Sequence, residues 1–363
     1  MQNSVTESVT EYLEFLERSW KPALEQAAIL AAKYSPPKEI LLFGSGDSHF
    51  AALGLSMLLA HATGTQVLAV HSMDAARYIL PDLHQSANDV LAFGFSVSGE
   101  VARTIEGIEI ARTLGIKTVA VTSAAHSTLA SKADECLSLD LPDLHIVPGL
   151  PGYSAALVLG IAIGCSYARP AFQKTITESM LELPEALSDW ILDQIRSGMS
   201  FAQRAQSGAA VYVGCGPAYA SALFGAAKLI ELVGDYAWAQ DIEEWCHLEY
   251  FCAERVMPTI VLSSWGRGLT REEEMLIAAD AVGRQILASR WEGASHWPRD
   301  LREMLSPFAL WAAPAGFALQ RMEDLGREPF RGFGGGRSET EGGGVSRIRS
   351  SRQVSLDELK HLP

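Results

Sequence analysis

Between Asp89 and Thr122 the chain reads D-V-L-A-F-G-F-S-V-S-G-E-V-A-R-T-I-E-G-I-E-I-A-R-T-L-G-I-K-T-V-A-V-T, an order that few folds accept. An apolar run, Val90 to Phe95, stops at two serines and a glycine. An amphipathic segment follows, with Val101, Ile105, Ile108 and Ala111 on one side, and Gly115 ends it before a second apolar run, Thr118 to Val121. That is strand, loop, helix, strand. Strands joined through a helix run parallel and need helices over the sheet to bury them.

Ser96, Ser98 and Gly99 fall where the first of these strands hands over to the helix. The free N–H groups of a first helical turn, two hydroxyls and the positive end of the helix dipole meet there, and such a place suits a phosphate. Serine is also a common N-cap and glycine a common turn residue, so this stretch alone leaves a plain cap open. It is neither a P-loop, since no Gly-Lys-Ser/Thr follows, nor a G-x-G-x-x-G dinucleotide fingerprint.

The rest of the chain extends the same pattern. Residues 4–34 carry Val5, Val9, Leu13, Leu16, Trp20, Leu24, Ala27 and Leu30 on one helical face, a packing or dimerisation helix ended by Pro36-Pro37. A strand at Glu39–Phe43, the turn Gly44-Ser45-Gly46-Asp47-Ser48, a helix at His49–His61 and a strand at Gln66–Val70 then begin an alternating β/α series that runs to about residue 168. Ligands of such sheets bind at the carboxyl ends of the strands, where Ser48 and Ser96 both lie. Leu150–Ala168 approaches the length of a membrane span, yet it holds Gly152, Gly160 and Gly164 and lacks flanking basic anchors, so it reads as a buried crossover helix.

A second polar helical stretch, 170–206, leads into a second series. It comprises a strand at Ala210–Val213, a helix at Ala218–Val233, a strand near Tyr236–Ala239, a helix around Glu243–Glu254, a strand at Thr259–Leu262 and a helix at Arg271–Leu287. Laying residue n on n+170 pairs Gly44 with Gly214, Gly46 with Gly216, Ala52 with Ala222, Leu53 with Leu223 and Gly64 with Gly234. With a three-residue slip, Ser96-Val97-Ser98-Gly99 meets Ser263-Ser264-Trp265-Gly266. The expected spans are a packing helix at 1–37, a first domain at 38–169, a linker helix at 170–207, a second domain at 208–326 and a Gly/Arg-rich tail at 327–363.

Composition narrows the partners. The 363 residues carry a net charge of −14, which argues against nucleic acid, and they are 48% hydrophobic and 20% charged, as an ordinary globular protein is. Five cysteines without C-x-x-C spacing fit reduced thiols in a cytoplasm. Cys246, His247 and Cys252 lack a fourth ligand at a recognisable spacing, so no metal site is read. The polar, acidic N-terminus carries no secretory signal.

These motifs resemble the tandem sugar isomerase (SIS) family, as in the isomerase domain of glucosamine-6-phosphate synthase, over roughly residues 38–330. The resemblance implies two tandem SIS-type doubly wound parallel-sheet α/β domains with flanking helices. In that family a G-x-S after the first strand and an S-Q-S-G-E-T turn hold the sugar phosphate. The matching residues here are Gly46-Asp47-Ser48 and Ser96-Val97-Ser98-Gly99-Glu100-Val101, with Val97 and Val101 where the family has glutamine and threonine. The family's second copy carries a lysine and, three residues later, the glutamate that moves a proton between C1 and C2; Lys228 and Glu231 match. Spacing of i, i+3 puts both on one helix face, where a solvated ion pair is the plainer alternative. The family's E-L-K-H-G-P, whose histidine assists ring opening across a dimer interface, corresponds to Glu244-Trp245-Cys246-His247-Leu248-Glu249, which keeps the glutamate and histidine and loses the Gly-Pro.

The family's S-T-K loop is replaced by Pro148-Gly149-Leu150-Pro151-Gly152-Tyr153-Ser154. Its lysine-bearing tail is replaced by a run in which seven of the thirteen residues from 332 to 344 are glycine, with Arg337, Arg347, Arg349 and Arg352 nearby. An arginine-bearing lid and a disordered linker are both open readings of that tail, and the glycine content favours the linker. No glutaminase segment is expected, so the resemblance implies a stand-alone relative that splits amino-sugar or fructosamine phosphates, as a homodimer at least and without a cofactor. Its ligand would be a phosphorylated sugar or amino sugar, and neither nucleic acid nor membrane would be a partner. The rival expectation is a non-catalytic sugar-phosphate-binding regulator, which Val97, Val101 and the lost loop favour and the joint presence of Lys228, Glu231 and His247 disfavours.

Overall fold

The computed structural model describes residues 2–144, 146–205, 208–252, 256–327 and 351–361. They form two compact α/β units. The first comprises Glu14–Asp143, Pro151–Leu181 and residues 351–361; the second comprises residues 2–13, 144, 146–150 and the described residues from 182 to 327. Helix α1 is Gln2–Lys33, and Val9, Leu16, Trp20, Ala27 and Leu30 of its apolar face are buried.

In the first unit, strands β1 (Glu39–Gly44), β2 (Gln66–His71), β3 (Val90–Phe95), β4 (Lys117–Thr122) and β5 (Glu135–Ser138) form one sheet of order β2-β1-β3-β4-β5, and every pairing is parallel. β1 and β3 are buried throughout, which is why their sequences are continuous apolar runs rather than alternating ones. Helix α2 (Asp47–Thr63) follows β1, and the short turn α3 (Ser72–Asp74) follows β2. Leu41, Phe43, Val90 and Ala92 of the strands pack with Ile105 and Ile108 of α4 (Ala102–Thr113) and Leu129 of α5 (Thr128–Lys132). Helix α6 (Leu150–Tyr167) meets α2 so closely that a Cβ on Gly160 would lie 2.2 Å from Leu55 Cδ1, and one on Gly164 2.5 Å from Leu58 Cδ2. This helix is long and apolar enough to cross a membrane, but 83% of it is buried within the protein, as expected of a crossover helix.

In the second unit, β6 (Ala210–Gly214), β7 (Ala237–Asp241), β8 (Pro258–Ser263) and β9 (Gln285–Arg290) are again all parallel, in the order β7-β6-β8-β9. Helix α7 (Pro170–Ala202) precedes them, with its residues from Glu182 onward in this unit. One face of the sheet packs Val211, Val213 and Val261 against Ile242 and Trp245 of α9 (Ile242–His247) and Met275 and Ala279 of α10 (Leu269–Ala281). On the other, Gly225 of α8 (Pro217–Leu232) fits between Tyr212 and Pro314 of α12 (Ala312–Asp324). Helix α11 (Arg299–Leu305) precedes α12.

The chain departs from the expected element limits in two places. The helix expected to run to Leu287 stops at Ala281, because Gly283 turns the backbone at φ +78°, and residues 285–290 become β9. The helix expected at Glu243–Glu254 stops at His247 and passes into a 3₁₀ turn, Glu249–Phe251.

Of the glycine- and arginine-rich tail, residues 328–350, with Arg337, Arg347 and Arg349, lie outside the described residues. Residues 351–361 pack on the first unit through α13 (Leu356–Lys360), whose Leu356 joins the α4 core cluster. The Val354 N–H donates to Glu106 Oε2 at 2.9 Å, and Arg103 donates to the carbonyls of Ser351 and Arg352. Arg352 itself pairs with Glu358.

Candidate active site

In the first unit the site is built at the carboxyl ends of β1, β3 and β4. Gly46 caps α2 with φ 57° and ψ −133°, a backbone that side chains rarely adopt, and so turns the chain sharply enough to bury Ser48 in the first helical turn. After β3, the Ser96 N–H donates to the Val121 carbonyl at 3.0 Å, and Ser96 Oγ accepts the Gly99 N–H at 3.1 Å. Gly99 takes φ 66°, and a Cβ there would fall 1.9 Å from Ser127 Oγ, so the turn can lie against α5 only without a side chain. Glu100 locks it further by accepting the Thr128 N–H at 2.8 Å and the Thr128 hydroxyl at 2.7 Å, bonds that hold its carboxyl below the usual range.

The result is a shallow cleft, open to solvent, whose polar lining is Ser48, Ser96, Thr122 and Ser123. Val97 and the first turns of α6 supply the apolar wall, and Val97 fits there because Gly152 has no side chain: a Cβ on Gly152 would lie 2.5 Å from Val97 Cγ2. Ser48 and Ser96 thus line one cleft. Gly46 and Gly99 shape the cleft from behind it, and neither they nor Ser98 line it. Ser98 is exposed, with its Oγ accepting the Glu100 N–H at 3.3 Å.

Thr122 and Ser123 are the residues that sequence reasoning missed. They sit at the end of β4, and the Thr122 hydroxyl and Ser123 N–H both donate to the Val97 carbonyl at 3.1 Å. The rule that singles out Ser48 and Ser96, a hydroxyl at the carboxyl end of a buried parallel strand, applies equally to them.

In the second unit, Lys228 is fully buried on α8, with its Nζ 2.8 Å from Glu231 Oε2 and 4.6 Å from the centroid of the Phe224 ring. The Glu231 side chain is 42% exposed, so the pair joins a buried ammonium to a carboxylate that solvent reaches. His247 ends α9, on the opposite face of the sheet from α8, and its Nε2 lies 3.0 Å from Glu243 Oε1. Glu243 also accepts from Arg271 Nε at 2.7 Å, and Arg271 more than His247 holds its carboxyl below the usual range. Within its unit, then, His247 stands with Glu243 and Arg271 rather than with Lys228 and Glu231. Among the described residues no group of three or more His, Cys, Asp or Glu is arranged to hold a metal ion.

Residues 33–163 match the SIS domain family model. A glutamine–fructose-6-phosphate aminotransferase (isomerizing) of Pyrobaculum aerophilum is 29% identical over 242 residues, 65% of this chain and 38% of the relative. The chain thus spans less than half the length of the curated relatives it matches. Among solved structures, the C-terminal domain of the glucosamine-fructose-6-phosphate aminotransferase of Francisella tularensis superimposes with a TM-score of 0.74 at 14% identity, covering 90% of this chain and 97% of that one. Glucosamine-6-phosphate deaminase of Thermotoga maritima does so with a TM-score of 0.66 at 17% identity, covering 89% and 97%. These likenesses bear on the fold.

Proposed function

Since residues 33–163 form a SIS domain, we propose that the protein is a phosphosugar isomerase-type enzyme that couples aldose–ketose isomerisation to deamination or deglycation of an amino-sugar or fructosamine 6-phosphate. The observation that carries this reading is the convergence of Ser48, Ser96, Thr122 and Ser123 on one cleft with no acidic side chain in its lining. Hydroxyls at the carboxyl edge of a parallel sheet form a neutral socket in which a phosphate dianion meets no repulsion. A phosphate so held anchors the substrate, and that binding energy positions the reacting carbons.

The acid–base roles rest on the resemblance rather than on the cleft. Glu231 moves the proton between C1 and C2, Lys228 orients the open chain or polarises its oxygen, and His247 assists ring opening across a homodimer. Moving that proton turns an amino sugar into its imine, which water hydrolyses with release of ammonia. Ser98 and Gly99, which the resemblance also implies, lie outside the cleft lining, and the Gly99 N–H is held by Ser96 Oγ, so the phosphate contacts in this reading fall to the four lining residues. Five free cysteines, Cys136, Cys165, Cys215, Cys246 and Cys252, support a cytoplasmic setting, and the net charge of −14 speaks against nucleic acid as a partner. The second reading, a sugar-phosphate-binding protein without catalysis, is favoured by two observations. Val97 presses an apolar side chain into the cleft wall, and Val101 begins α4 without a side-chain cap bond.

Thermal unfolding against a panel of hexose, amino-sugar and fructosamine 6-phosphates, followed by an assay of ammonia or amine release, separates the two. A ligand at about 100 times its dissociation constant adds roughly 2.7 kcal/mol of stability. A shift with amine release supports the enzyme, and a shift without turnover supports the binding protein. No shift with any member removes the phosphate site.

A further inference from the structure

The carboxyl edge of the second sheet holds a cleft of about the same size, also open to solvent, and an acidic side chain of the chain itself stands in it. Its polar lining is Cys215, Ser263, Ser264, Glu272 and Glu303. Glu303 reaches in from α11 and is only 4% exposed. Its Oε1 accepts the Arg267 N–H at 3.0 Å, in the turn that follows β8 as the Ser96 turn follows β3. Gly266, the counterpart of Gly99, permits this approach, since a Cβ there would lie 2.1 Å from Glu303 Oε1. Glu303 Oε2 is buried without a hydrogen-bond partner among the described residues, and Arg267 Nε lies 3.9 Å from it.

Two further features make this an environment for an anion. Helix α10, thirteen residues long, starts at Leu269 directly after the turn, and its N-cap, Gly268, offers no side chain to its first amides. The other acid of the lining, Glu272, is already paired, its Oε1 2.8 Å from Arg290 Nη2. The Glu303 carboxylate has only the long 3.9 Å approach of Arg267 Nε as its ion pair, and it sits on the Arg267 backbone donor.

We infer that the second cleft is an anion site whose resident anion is the Glu303 carboxylate. The chain therefore takes up no phosphorylated ligand there, and the second cleft admits a phosphate group once that carboxylate is withdrawn. The inference does not depend on what the first cleft binds.

Equilibrium dialysis of the full chain with inorganic phosphate and with fructose 6-phosphate counts the sites. The Glu303→Ala variant is expected to hold one more phosphate site per chain than the native protein, and an equal count in a folded variant overturns the inference. A native count of zero with one site in the variant removes the sugar-phosphate reading of the first cleft and leaves this one standing. Should Glu303→Ala not fold, Glu303→Asp draws the carboxylate back by one methylene. Amide exchange at Arg267 should then quicken at least tenfold, and added phosphate should slow it again. Exchange that the substitution leaves unchanged, or that phosphate does not slow, equally overturns the inference.

Discussion

At the carboxyl edges of the two sheets, Ser48 corresponds to Ala218 by the n+170 repeat, and Ser96 and Thr122, just past the last β3–β4 pair, correspond to Ser263 and Arg290 by strand register. The two backbones there nearly coincide: Gly46 and Gly216 both cap the following helix, at φ 57°, ψ −133° and at φ 53°, ψ −133°. The side chains do not. The first edge presents neutral hydroxyls around open space, whereas in the second Arg290 is spent on Glu272 and Glu303 fills the turn. A strand–turn–helix edge with a forward-pointing dipole is therefore only a predisposition toward anions. What occupies it is decided by one or two side chains, some supplied from far along the chain.

The largest effect expected from this division concerns chemistry as distinct from holding. Glu231→Gln keeps the shape and the Lys228 contact while removing the proposed base, so turnover should fall by roughly 10²–10⁴ with ligand affinity unchanged. Steady-state rates beside a binding titration decide it, and full turnover in the variant removes Glu231 from the role. Next comes the double variant Ser48→Ala with Ser96→Ala. Each lost bond to a charged ligand costs about 1.5–3 kcal/mol, so the dissociation constant should rise at least tenfold for each hydroxyl. The matched change in the other cleft, Ser263→Ala, should leave that constant alone, and equal effects on the two sides would break the contrast.

The edges also differ in how they titrate. His49, in the first unit, corresponds to Tyr219 in the second, and it is buried with its ring centroid 3.8 Å from that of His71. Burial first, and the His71 charge second, lower its pKa from 6.5 to about 4. Between those values the unfolded chain binds a proton that the folded chain refuses, so stability rises with pH across this window and is lost as pH falls from 6.5 towards 4. The native protein should lose roughly 2 kcal/mol more than a His49→Asn variant over that interval in denaturant titrations. Superimposable pH profiles would assign the acid sensitivity elsewhere.

Much of this contrast is legible in the residues. Continuous apolar runs bounded by glycine mark buried parallel strands, and the n+170 glycines show that the first turn recurs in the second half, because close helix–strand approach tolerates little else there. A Cβ on Gly44 would meet the Ser48 carbonyl carbon at 2.7 Å, and one on Gly214 the Ala218 carbonyl oxygen at 2.6 Å. Thr122 and Ser123 stay hidden because no glycine punctuates the end of β4. Strand β9 merges with the apolar pattern of α10 until the φ of Gly283 is known. Glu303 is beyond local reading altogether: its contact with Arg267 spans 36 residues and is made by a helix whose own pattern says only that one side is buried. Local rules locate strand ends; what fills them depends on packing.

The smallest effect tests the part of the comparison that should not differ. Gly46→Ala and Gly216→Ala each force a side chain onto a backbone with positive φ. A Cβ at Gly46 meets nothing within 4 Å, and one at Gly216 meets only Glu303 Oε1 at 3.9 Å, ordinary contact. Both substitutions therefore carry conformational strain with no steric clash, and each should destabilise the protein by about 1 kcal/mol. Chemical denaturation of the two variants should give equal losses within a few tenths of a kcal/mol. Equal losses mean that the two edges share one backbone solution and diverge in side chains alone. A loss at Gly46 well above that at Gly216 would mean instead that the first turn carries strain the second does not, placing the difference between the clefts in the main chain.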